Sequence, residues 1–86
     1  MAATPDPTSS LLDDALADTD RQIAETERRR ERQVRLLREL DPGTRAQINA
    51  ERRLREIEWT LSLNHMHRTF IRHLLESDPS NDLDHP

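Results

Sequence analysis

His65, His67 and His73 crowd one short stretch of this 86-residue chain and are its most suggestive residues for chemistry. A helix grips a zinc ion with two His four residues apart on one face, and no two of these three have that spacing. His65 and His73 stand two helical turns apart, too far to share a metal within one helix, so only ligation across a dimer axis remains open. The rest of the catalytic inventory is thin. There is no cysteine, no lysine and no glycine-rich loop. Ser9, Ser10, Ser62, Ser77 and Ser80 lack the strand-turn-helix elbow that exposes a nucleophile. The expectation is therefore a non-catalytic protein without metal or cofactor. The histidines suit another role, because imidazole changes charge near pH ~6.5. With Arg68 and Arg72 within a turn of them, added positive charge is expected to weaken an assembly on acidification. Proximity to the carboxylates of Asp13 to Asp20 would act in the opposite sense.

All thirteen basic residues are arginine. Two clusters stand out, Arg28, Arg29, Arg30 and Arg32, then Arg52, Arg53 and Arg55. Glu25, Glu27, Glu31, Glu51, Glu56 and Glu58 are interleaved with them. Glu25–Arg29, Glu31–Arg35 and Glu51–Arg55 have the i,i+4 spacing of helical ion pairs, each worth only ~0.2–0.5 kcal/mol. The pattern reads as a solvated face. Net charge is −4. It divides into −5 over residues 1–20, +3 over 21–40, zero over 41–60 and −2 over 61–86. With an acidic balance and few aromatics to stack on bases, nucleic acid is not the expected partner.

These residues must be carried on helices. Hydrophobic residues make up 33% of the chain and charged residues 35%, with two aromatics, which disfavours a sheet and suits a helical hairpin. Residues 1–9 hold two prolines and are expected to be a disordered tail. Ser10 as N-cap with Asp13 three residues on predicts that helix 1 spans about 11–40, with Asp13, Asp14, Asp18 and Asp20 near its positive dipole end. Pro42 and Gly43 break the helix, giving a turn over 41–44. Either Asp41, followed by Pro42, or Thr44, in a capping box with Gln47, caps helix 2. Helix 2 spans about 45–77, and Asp78–Pro79 stops it. An acidic tail expected to be disordered occupies 78–86. Facing positions in such a hairpin add up to about 84.

The apolar periodicity gives the argument its direction. In helix 1, Leu12, Leu16, Thr19, Ile23, Val34 and Leu37 form one narrow stripe, polar at its waist where Glu27 and Arg30 sit. Helix 2 carries two stripes. Ala50, Leu54, Ile57, Leu61, Ile71 and Leu75 have coiled-coil spacing, interrupted by Asn64 and Arg68. Such polar seam residues set register, and Arg68 is expected to meet Asp13 or Asp20. Trp59, Leu63, Met66, Phe70 and Leu74 form the second stripe, roughly opposite, and one helix cannot cover both. A homodimer with helix 2 at the centre of a four-helix bundle is the simplest closed arrangement, and a heterologous protein on that face is the alternative.

Ala17-Asp18-Thr19-Asp20-Arg21-Gln22-Ile23 resembles the first helix of small all-α chorismate mutases, but that family's third helix and catalytic lysine have no counterpart in this sequence. The hairpin also resembles in architecture the coiled-coil fingers that enter the secondary channel of RNA polymerase. Those fingers carry at least two acidic residues at the tip, and this tip offers Asp41 alone. The sequence thus predicts an all-α antiparallel hairpin, coiled-coil-like and dimeric, acting as a small interaction, regulatory or adaptor protein. A transcription-associated helical factor is the competing function. No apolar run approaches the ~20 residues of a membrane span and no leader pattern opens the chain, so a cytoplasmic location is expected.

Overall fold

The computed structural model describes residues 7–77 and contains two helices that pack against each other, α1 (Pro7–Glu39) and α2 (Arg45–Glu76). At 1.5 Å per residue each helix is about 50 Å long. Both ends of the connection follow from local chemistry. Leu40 N–H donates to the Leu37 carbonyl at 3.3 Å, closing α1 with a tighter turn. Gly43 then takes φ +79°, which a side chain would resist.

Thr44 caps α2: its hydroxyl accepts from Gln47 N–H at 3.2 Å and donates to the Asp41 carbonyl at 2.8 Å. The return half of the box is displaced by one residue, because Gln47 Oε1 accepts from Gly43 N–H, at 2.6 Å, rather than from Thr44. Of the two caps that the sequence allowed, Thr44 forms.

Helix 1 begins earlier than expected. Pro7 opens it, so Thr8, Ser9 and Ser10 are helical and Ser10 is not the cap. Proline suits a first helical position because its φ is preset and its missing N–H would have had no helical acceptor. Asp13 and the later aspartates consequently lie beyond the first turn, which holds no acidic residue, and the dipole effect has largely decayed there. Residues 1–6 of the expected N-terminal tail, and the expected tail at 78–86, lie outside the described residues.

Burial picks out one seam on each helix. On α1 it runs through Leu12, Leu16, Thr19, Ile23, Thr26, Arg30, Gln33 and Leu37, and continues to Leu40 just past the helix end. On α2 it runs through Gln47, Ala50, Leu54, Ile57, Leu61, Asn64, Arg68, Ile71 and Leu75. Steps of three and four alternate without a break along both, which is the 3.5-residue repeat of a coiled coil. The polar seam residues find partners. Asn64 Nδ2 donates to Thr26 Oγ1 at 3.2 Å, and Gln33 Nε2 donates to the Ala50 carbonyl at 3.1 Å. Thr19, buried, returns its hydroxyl to the Ala15 carbonyl at 2.8 Å. Among the described residues no buried side-chain polar atom lacks a partner.

The register departs from the turn-centred expectation. Where two side chains meet, Arg30–Glu58, Thr26–Asn64 and Asp20–Arg68 have residue numbers adding to 88, 90 and 88 rather than about 84, while Gln33 and the Ala50 backbone carbonyl add to 83. Side chains lean toward the N-terminus of their own helix. Those of α1 therefore lean away from the turn and those of α2 lean toward it. An α1 residue thus meets an α2 residue whose Cα lies farther from the turn.

Candidate interaction face

Two packed helices leave their core open along both edges. Only Ile23, Ala50, Ile57 and Ile71 are buried apolar residues among those described, and no large side chain is completely enclosed. The most buried α1 positions, Thr19, Ile23 and Thr26, are threonines and one isoleucine, so the seam is narrow. Larger apolar groups lie outside it. Trp59 is 67% exposed, Met66 68% and Phe70 60%, with Leu63 and Leu74 also open.

These five occupy one face of α2, turned away from α1. Because α2 presents apolar residues on two sides, its net amphipathicity is much weaker than that of α1. Ile48 is half exposed and, eighteen residues or five full turns before Met66, points the same way. The outward apolar row thus begins near the turn, with Arg52 and Glu56 interrupting it before Trp59.

The histidines border this row. All three are exposed, and His65 and His73 join Met66, Thr69 and Phe70 in lining a shallow depression on α2. Of the five residues that the sequence groups, Trp59, Leu63, Met66, Phe70 and Leu74, all are exposed, and Met66 and Phe70 line this hollow. The structure adds Thr69 to the same hollow, whose polar side chain gives no hydrophobic signal. No group of three or more His, Cys, Asp or Glu side chains that could hold a metal ion occurs among the described residues.

Asn64 and Arg68, the interruptions of the inner seam, bind α1. Arg68 Nε donates to Asp20 Oδ1 at 2.5 Å, which selects Asp20 over Asp13 as the partner. Arg30 pairs likewise with Glu58 at 3.2 Å across the waist. Both ion pairs are partly exposed, so each contributes at most about 1 kcal/mol and acts chiefly on register. Sequence periodicity missed Thr26 and Gln33 as seam residues. The signal that would have found them is the unbroken alternation of three and four between Ile23 and Leu37.

The solvated face is less paired than expected. Among the described residues, the one ion pair within a helix joins Arg21 to Asp18, and the i,i+4 pairs Glu25–Arg29, Glu31–Arg35 and Glu51–Arg55 are not formed. At an exposed site the entropy of holding two long side chains offsets so small an attraction. Arg30, Glu31, Val34, Arg35 and Arg38 surround a second hollow, on α1 near the turn, where arginines outnumber the carboxylate. Among the described residues no helix is long and apolar enough to cross a membrane. Comparison of the chain with protein-family models, with curated proteins and with solved structures found no match.

Proposed function

We propose that this protein is a non-catalytic, cytoplasmic interaction module of regulatory or adaptor type, working as a helical-hairpin oligomer. Its working surface is the outer face of α2. One observation carries the proposal: the largest apolar side chains, Trp59, Met66 and Phe70, lie outside the hairpin while, among the described residues, its interior holds only four buried apolar residues. Leaving a large apolar side chain in water forgoes about 1.5–3 kcal/mol. A contiguous exposed stripe of this kind marks an association site in a soluble protein. Joining two hairpins through α2 would give a four-helix bundle with a closed core, the size at which a short helical chain becomes stable.

Light scattering on the purified chain tests this. A molar mass of twice 10.1 kDa or more at about 10 µM, or co-purification with a stoichiometric protein partner, is expected. A lone chain that remains folded and monomeric at about 100 µM would overturn the oligomer. A salt-dependent mobility shift on DNA or RNA would instead favour a nucleic-acid-associated factor.

A further inference from the structure

We propose that the outer face of α2 is covered by a second copy of this chain, antiparallel to the first, with the two-fold axis passing beside Met66. The proposal rests on the reading of that face as an interface and specifies its occupant and geometry. The stripe is self-complementary under this operation. Reversed about a point just past Met66, Trp59 falls opposite Leu74 and Leu63 opposite Phe70, so every bulky side chain meets another. An isologous contact needs this property, because one patch must serve as both partners. The exposed surface of the five residues comes to roughly 500 Å² per copy, and two copies reach the ~1,000 Å² that a specific interface requires.

Charge selects the direction. Residues 28–60, the half of the hairpin that holds the turn, carry ten Arg against six carboxylates, a balance of +4. Residues 7–27 together with 61–77, the open half, carry three Arg against seven carboxylates, a balance of −4. A parallel dimer would set Arg52, Arg53 and Arg55 beside their own copies. The antiparallel dimer sets them at the open end of the other chain, near Glu76. At 1.5 Å per residue, Arg55 lies about 17 Å from the axis and Glu76 about 14 Å from it. The two-fold brings Arg55 of one copy and Glu76 of the other to the same end of the interface. Opposite charges at that spacing fix direction more than affinity.

Since the chain has no cysteine, each substitution introduces a single thiol. Met66→Cys is expected to form a disulfide-linked dimer on mild oxidation, because residues at the axis approach within disulfide range. Trp59→Cys alone should not link to itself, whereas an equimolar mixture of Trp59→Cys and Leu74→Cys should link to each other. As a second readout that leaves the apolar stripe intact, Arg55→Glu should raise the dimer Kd about tenfold or more, and Arg55→Glu with Glu76→Arg should restore it. A dimeric wild-type chain in which Trp59→Cys links to itself and the mixture does not would overturn the antiparallel geometry while leaving the interface standing. A monomeric wild-type chain at about 100 µM would overturn the interface itself. An Arg55→Glu variant that dimerises like wild type would remove the charge argument for direction.

Discussion

Phe70→Asp separates the outer face from the hairpin core, because the two faces of α2 make different demands on the same helix. In one isolated hairpin Phe70 is 60% exposed, so the substitution removes few contacts within the chain. In the dimer that exposed part becomes interface. Taking about 200 Å² for a phenylalanine side chain, roughly 120 Å² would be buried on association, worth about 3 kcal/mol at 25 cal/mol per Å². Two copies lose about 6 kcal/mol per dimer, a factor on the order of 10⁴ in Kd, before the cost of desolvating two carboxylates is added. Sedimentation equilibrium from about 1 to 100 µM measures this directly, and at these concentrations the variant should be wholly monomeric. Helical content in the circular dichroism spectrum should fall only as far as the hairpin depends on its partner. A Phe70→Asp chain that self-associates with wild-type affinity would refute the assignment of Phe70 to the interface.

Other substitutions map the remaining features. Ile57→Ala empties a buried seam position and should cost about 2–4 kcal/mol in denaturant unfolding, with a lower midpoint. Thr44→Ala removes the hydroxyl that caps α2 and should cost about 1 kcal/mol by the same measurement. Arg29→Ala alters an exposed residue and should change stability by less than about 0.5 kcal/mol, in clear contrast to Ile57→Ala.

Both helices, the turn and the two-sided character of α2 could be read from the sequence because each leaves a periodic or stereochemical mark. Pro42 and Gly43 interrupt the pattern where the chain reverses, and Trp59, Leu63, Met66, Phe70 and Leu74 recur at helical spacing. Other features depend on what lies across the seam. Thr26 gains its buried place from Asn64, and Gln33 from the Ala50 carbonyl, so neither carries a hydrophobic signal of its own. Asp13 and Asp20 were equivalent partners for Arg68 until the lean of side chains along each helix set the register at Asp20. The start of α1 was obscured by a local ambiguity, since Ser10 is a good cap and Pro7 a good first residue. The regular charge spacing of Glu25–Arg29 and its neighbours overstated pairing, because spacing says nothing of the entropy lost in forming it.

The chain contains a single tryptophan, Trp59, and it stands on the face at issue. Its fluorescence therefore reports on the central claim without any substitution. With the outer face of α2 covered by a partner, emission at about 100 µM protein should be blue-shifted and poorly quenched by acrylamide, and dilution below the Kd should move it to the red with full quenching. Red-shifted, freely quenched emission at every concentration, from a chain that remains helical, would show that Trp59 stays in water and that the face has no partner of its own kind.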